Sequence, residues 1–344
     1  MKIETVPGAP LLAVRNLKVH FPGNRVPGRA RSVVKAVDDL SFDLHRGETL
    51  GVVGESGCGK STTGMAVQGL VDVTAGSINL DGVDLVSLSS REVRKVRGRT
   101  QMVFQDPTSS LNTRMTIGQI LEEPLLVHQI VPPQERATRV RELLDLVGMP
   151  DYAADRYPHE FSGGQRQRVA IARALAVEPD LIVCDEPLAA LDVSIRAQML
   201  NLLRELQRTQ NVAFLFISHD LSAVYHLSDR ILVMYLGRAM ELTDRESLYY
   251  NTRHPYTKAL LSAIAVPDPD IEQNRERILL SGDVPSPMNP PSGCVFRTRC
   301  PIAQEVCASN MPEWKDIGVG ETQHFVACHF GESDINAELV LSSR

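Results

Sequence analysis

The sequence predicts an α/β fold: a mainly parallel sheet covered by helices, interrupted by a helical insertion and followed by a small cysteine-bearing C-terminal domain. Three observations carry this. Apolar runs of strand length alternate with helical patterns through the first 250 residues. A glycine-rich loop joins one such run to a helix. Beyond residue 250 the chain becomes rich in Pro and Ser and holds four of its six cysteines. With 344 residues there is length for two domains and a sizeable core.

The elements follow in order. ETLGVVG (48–54) is a short apolar run, and KSTTGMAVQGL (60–70) after it reads as a helix. DLIVCDEP (180–187) and VAFLFISHD (212–220) are strand-length runs, followed by the helical patterns IRAQMLNLLRELQR (195–208) and LSAVYHL (221–227). Uninterrupted apolar runs suit strands buried on both faces. Between about 95 and 178, ERATRVRELLDLVGM (135–149) and GQRQRVAIARALA (164–176) place apolar residues at helical spacing, which predicts a helical subdomain inserted in the core. VPDPD (266–270) and VPSPMNPPSG (284–293) read as linkers or extended segments.

The formal net charge of −6 and a pI near 5.9 argue against a general nucleic-acid binder. The N-terminus lacks a basic region followed by an apolar run, and no stretch approaches the roughly 18–20 apolar residues of a membrane span. The expected compartment is the cytosol, where structural disulfides are not formed, so the cysteines need another explanation.

GESGCGKS matches G-x-x-x-x-G-K-[ST] between a strand and a helix. Gly54, Gly57 and Gly59 permit a tight loop whose N–H groups close around phosphate oxygens, with Glu55, Ser56 and Cys58 between them. The helix starting near Lys60 points its positive end at that anion. Lys60 is expected to reach the β- and γ-phosphates, and Ser61, followed by Thr62, to give a hydroxyl to Mg²⁺. Asp185 ends an apolar run, where its carboxylate can hold Mg²⁺, and Glu186 beside it can polarise an attacking water. His219 ends the next run at the carboxyl edge of the sheet, where open α/β folds bind ligands. Gln105, closing the run MVFQ, can reach metal and water.

In sequence, GESGCGKST, VFQDP, FSGGQRQRVAIARAL, LIVCDEP, ALD and ISHD resemble the nucleotide-binding subunit of an ABC transporter over about residues 10–250. The resemblance implies a P-loop NTPase core of ABC type over 1–250 and a C-terminal domain over 251–344. It also implies that two such domains pack head to tail, each ATP lying between the phosphate loop of one and Ser162, Gly163, Gly164 and Gln165 of the other. By the same resemblance Phe21 stacks on adenine, Gln105 links the metal to the helical subdomain, Glu186 is the general base and His219 the switch histidine. Asp192 belongs to the loop that crosses between monomers. One departure stands out: the family commonly has Ser-Ala-Leu-Asp where this chain reads Ala189-Ala190-Leu191-Asp192, which removes a hydroxyl from the interface and points to unequal ATP sites.

QDPTSSLNTRMTIGQ, and the tail from RHPYTKALLSA to GCVFRTRCPIAQEVC and VACHF, are similar to ATPase subunits of dipeptide and oligopeptide importers. PGNRVPGRARSVVK (22–35) and the Cys-Gly-Lys-Ser-Thr form resemble one of the two paralogues that those importers pair. The implied partners are that paralogous ATPase subunit, two membrane permeases and an extracytoplasmic peptide-binding protein, with no nucleic acid. The implied place is peripheral, on the cytoplasmic face of the inner membrane. Import of nickel or another small solute is the alternative. A soluble ABC ATPase acting on nucleic acid or ribosomes is remote, since the chain has one phosphate loop, no heptad run and negative charge. Cys294, Cys300, Cys307 and Cys328 show neither a C-x₂-C pair nor common ferredoxin spacings, so their spacing leaves both a metal site and buried small side chains open. The resemblance implies a [4Fe–4S] cluster on these four.

Overall fold

The computed structural model describes residues 8–23, 32–106, 110–264, 277–320 and 322–332. The 22–35 segment, the QDPTSS motif and the C-terminal domain therefore fall partly, and the 266–270 linker wholly, outside the described residues.

The main sheet is built on five parallel strands in the order β6 (Thr100–Val103), β7 (Leu181–Asp185), β8 (Ala213–Ile217), β3 (Thr49–Val53) and β9 (Arg230–Tyr235). Their side chains alternate between two cores. Leu181, Val183, Leu215 and Ile217 join one hydrophobic cluster, while Ile182, Cys184, Phe214 and Phe216 join the other. A strand sandwiched this way must be apolar at every position, which is why these segments read as continuous runs.

The first cluster is covered by a second sheet, entirely antiparallel, in the order β2 (Val33–Leu44), β1 (Leu12–Pro22), β4 (Ala75–Leu80) and β5 (Val83–Asp84). The alternating text did not announce it, because β1 and β2 pair through three register shifts that break the period of two. The other face carries the helices: α3 (Ile117–Val127), α4 (Arg136–Leu146) and α5 (Gly163–Leu175) of the helical subdomain, and α6 (Val193–Gln210). α1 (Lys60–Val67) follows β3, α2 (Ser90–Val96) precedes β6, and α7 (Leu221–Leu227) follows β8. The range 95–178 expected to be helical includes β6, which pairs with β7 in the sheet. The described helices of that range run from Ile117 to Leu175.

Strands of the C-terminal region join the main sheet. β10 (Arg238–Asp244) turns back antiparallel on β9, and the short strands β12 (Phe325–Val326) and β11 (Lys315–Asp316) continue the same sheet. Between them lie α8 (Arg245–Tyr250), α9 (Pro255–Ser262) and α10 (Glu305–Ser309). The seam is pinned by Glu241, fully buried in β10. It accepts hydrogen bonds from Thr252 Oγ1 and the Arg253 and His254 N–H groups, and its carboxylate meets His324 Nε2 at 2.7 Å. Tyr235, Tyr256 and Phe296 form a buried aromatic trio, with ring centroids 4.9 to 5.3 Å apart.

Candidate functional site: a phosphate loop at the sheet's carboxyl edge

β3 lies beside β8, which lies beside β7, so the loops after these strands converge at one edge. Gly59 caps α1 with φ of +104°, and a Cβ there would stand 2.2 Å from the Ala36 carbonyl oxygen. Only glycine fits. Lys60 is buried, and its Nζ donates to the carbonyls of Gly54 (2.8 Å) and Glu55 (3.1 Å), spanning the loop from inside. Cys58 is buried with Sγ 3.8 Å from Lys60 Nζ, and burial pushes its thiol pKa up, so it packs as a small neutral side chain.

Ser61 Oγ donates to Asp185 Oδ1 at 2.8 Å. Burial raises the Asp185 pKa; the Ser61 hydrogen bond opposes that, the Glu186 charge adds to it, and Lys60 opposes it. Glu186 sits at φ +48°, with its N–H donating to the Ile217 carbonyl at 2.9 Å. Such a backbone is sparsely populated for a non-glycine residue and is concentrated at functional sites. Its Oε2 lies 3.0 Å from Nδ1 of His219, whose side chain is 61% exposed. The structure thus brings together Lys60, Ser61, Asp185, Glu186 and His219. Gln105 lies two residues past β6, exposed, and among the described residues no hydrogen bond joins it to Ser61 or Asp185.

Phe21 lies near the end of β1, opposite Val34, with its ring partly exposed. His20 beside it is engaged with Asp38 at 3.1 Å. Neighbouring strand residues point to opposite faces, so the aromatic is the one free to face a ligand.

Ser162 caps α5. Its Oγ accepts from the Gln165 N–H while Gln165 Oε1 accepts from the Ser162 N–H, a capping box spelled by SGGQ. Gly164 lets this helix start approach α6, since a Cβ would stand 2.5 Å from Ile195. Asp192 stands at the N-cap position of α6 without a side-chain capping hydrogen bond and is exposed.

Two residues of this edge lie in the tail motifs, but nothing in the sequence ties them to the phosphate loop. Tyr256 Oη accepts the Glu55 N–H at 2.9 Å, and Arg299 Nη1 donates to Glu55 Oε2 at 2.7 Å. Both come from the C-terminal region, more than 200 residues along the chain, and no local spacing links them to Glu55.

The four tail cysteines are free thiols; Cys294 and Cys307 are buried, Cys300 and Cys328 half-buried. Burial pushes Cys300 and Cys328 up to about 12 and raises Cys294, with the charge of neighbouring thiols adding to each rise. Backbone N–H groups of Phe296 and Arg297 point at Cys294, of Ile302 at Cys300, and of Phe330 at Cys328. Among the described residues, no three His, Cys, Asp or Glu stand close enough to hold a single metal ion.

Comparison with known proteins matches this architecture. The ABC transporter family model matches residues 37–189, and that for the oligopeptide/dipeptide transporter C-terminal region matches 240–307. The putative oligopeptide transport ATP-binding protein YkfD of Bacillus subtilis is 53% identical over 322 residues, covering 93% of this chain and 95% of the relative. This chain belongs to the ABC transporter ATP-binding proteins. The oligopeptide transport ATP-binding protein OppF of Salmonella typhimurium is 52% identical to this ABC ATPase, covering 92% of the chain and 95% of the relative. The dimeric structure of the ATP-binding cassette MJ0796 in a post-hydrolysis state, bound to ADP and Pi, aligns with a TM-score of 0.60 at 26% identity. It covers 68% of this chain and 98% of that one. In this ABC ATPase no described helix is long and apolar enough to cross a membrane.

Proposed function

We propose that this ABC ATPase hydrolyses ATP to drive import of di- or oligopeptides through a membrane transporter. The observation that carries the reading is the union of two parts in one sheet: the Lys60, Ser61, Asp185, Glu186 and His219 edge, and a C-terminal region of oligopeptide/dipeptide type docked on it. The names of relatives that match along nearly the whole chain support peptides as the cargo.

ATP is the substrate. The phosphate loop and the start of α1 bind its phosphates, with Lys60 turning its ammonium from the Gly54 and Glu55 carbonyls toward them. Ser61 Oγ and the Asp185 carboxylate form a hard-oxygen pair that fits Mg²⁺, an ion held through few protein oxygens plus phosphate. There the ion supplies charge neutralisation on the phosphates. Glu186, steadied by His219, orients water for in-line attack and takes its proton. Phe21 faces the adenine. The N–H groups at the start of α5 would meet the γ-phosphate of a partner's ATP, with Asp192 at the same seam, which makes the working unit a dimer with a paralogous subunit. ATP favours the closed dimer and hydrolysis reopens it. Gln105 leads into the helical subdomain. A groove of about 500 Å³ beside it, lined by Leu70, Met102, Phe104, Pro124, Val127 and Arg173, suits a cytoplasmic helix of a permease. The assembly further includes two permeases and an extracytoplasmic peptide-binding protein, which places the chain peripherally on the cytoplasmic face of the membrane. The domain division is an ATPase core over 1–250 with its tail over 251–344.

The tail is further proposed to hold a [4Fe–4S] cluster on Cys294, Cys300, Cys307 and Cys328. A cluster spreads its ligands more widely than one ion does, which reconciles four neighbouring thiols with the lack of a single-ion site. N–H groups aimed at sulfur favour the thiolate forms that a cluster needs. Anaerobically purified protein should contain iron and sulfide and absorb broadly in the visible; colourless, iron-free protein would end this reading.

The deciding experiment for function is uptake of labelled di-, tri- and pentapeptides by cells lacking this protein, restored with wild type or Glu186→Gln. Uptake rescued by wild type alone is expected. Peptide uptake that never depends on the protein would refute peptide import and send the search to nickel or another small solute.

A further inference from the structure

Glu55 places a carboxylate in a loop that must close around a polyanion. A carboxylate facing the phosphates would repel them. Every polar group of Glu55 is engaged. Its N–H goes to Tyr256 Oη at 2.9 Å, and its carbonyl takes Lys60 Nζ at 3.1 Å and the Cys58 N–H at 3.2 Å. Its carboxylate goes to Arg299 Nη1 at 2.7 Å. The Arg299 side chain is only 9% exposed, and its guanidinium lies over the Tyr235 ring, 6.0 Å from the centroid. Tyr256 is fully buried and packs on Tyr235 and Phe296. The two partners are thus held by the aromatic trio of the C-terminal seam rather than by the loop itself. When Lys60 turns to the phosphates, these contacts and the Cys58 N–H remain on Glu55.

We propose that Arg299 and Tyr256 are positioning residues for nucleotide: from the C-terminal region they hold Glu55 outward, neutralise its carboxylate, and keep the loop shaped for a triphosphate. The inference rests on the ATP-site reading above. It makes the tail part of the nucleotide site. It also means that disturbing the tail around Arg299, one residue before Cys300, should register in ATP affinity.

The test measures equilibrium binding of ATP, ADP and adenosine to the full-length protein. Arg299→Met leaves Glu55 charged and unpaired. One unit charge about 10 Å from another at an effective dielectric of about 20 corresponds to a loss on the order of tenfold. The loss should be largest for ATP, smaller for ADP and absent for adenosine, because repulsion scales with phosphate charge. Adding Glu55→Gln should restore ATP binding to within about threefold of wild type, since it removes the offending charge at its source. An equal loss for adenosine, or no rescue by Glu55→Gln, overturns the proposal. Should Arg299→Met fail to fold, Tyr256→Phe removes one hydroxyl and leaves the Glu55 N–H without its acceptor. Weaker ATP and ADP binding with unchanged adenosine binding is then expected, and unchanged ATP binding overturns the proposal. Lys60→Ala is the separate control: ATP binding that survives it refutes the ATP-site reading rather than the role of Arg299.

Discussion

His254 links acidity to the docking of the tail. It is fully buried at the N-cap of α9, the helix that carries Tyr256, and its Nδ1 accepts the Tyr256 N–H at 3.1 Å. Its ring also hydrogen-bonds the Ala327 backbone and lies 5.7 Å from Phe296. Burial lowers its pKa from 6.5 to about 4, against the opposing pull of Glu241 and the Ala327 bond. Protonating Nδ1 would set two donors face to face. The unfolded chain therefore takes up the proton first, so stability is full above about pH 6.5 and falls as pH drops toward 4. A depression from 6.5 to about 4 amounts to about 3 kcal/mol lost across that window. The perturbation is His254→Asn, which keeps a capping acceptor but cannot titrate. Urea unfolding of both proteins between about pH 7.5 and about pH 4.5 cancels the carboxylates they share. The stability of wild type relative to the variant should fall by about 2–3 kcal/mol across the series. Parallel curves would refute the claim that His254 is held neutral by its packing.

Other outcomes follow from the same geometry. Glu186→Gln should lower phosphate release by about 10²–10⁴-fold while ATP binding persists and a closed dimer accumulates; unchanged turnover would remove Glu186 from its role. Gly59→Ala drives a Cβ to 2.2 Å from the Ala36 carbonyl, and should abolish nucleotide binding in an equilibrium titration. Glu241→Ala strands His324 and the Arg253 and His254 N–H groups in a buried seam. It should cost about 3–5 kcal/mol in chemical unfolding and open the tail to proteolysis.

What was legible in the sequence was what is local. A loop that closes on phosphate needs glycines and a lysine at short fixed spacing, so GESGCGKS announces itself. The runs ending in Asp185-Glu186 and His219 read as buried strands because a sheet covered on both faces admits nothing polar until it ends. SGGQ could be placed at a helix start, and the structure adds that its Ser and Gln close a capping box. The antiparallel sheet was not legible, because its strands are bulged and half-exposed, and their hydrophobic period fails at the register shifts.

By itself the sequence determined the glycine-rich loop with its lysine and the order in which strands and helices arise, since both depend on neighbours a few residues apart. Only the tertiary structure decided that β11 and β12 extend the ATPase sheet and that Arg299 and Tyr256 hold the loop at Glu55. Those contacts join residues far apart along the chain, and such a contact leaves no period or spacing behind. It arises when Tyr235, Tyr256 and Phe296 bury their rings together and bring a guanidinium and a hydroxyl to the phosphate loop.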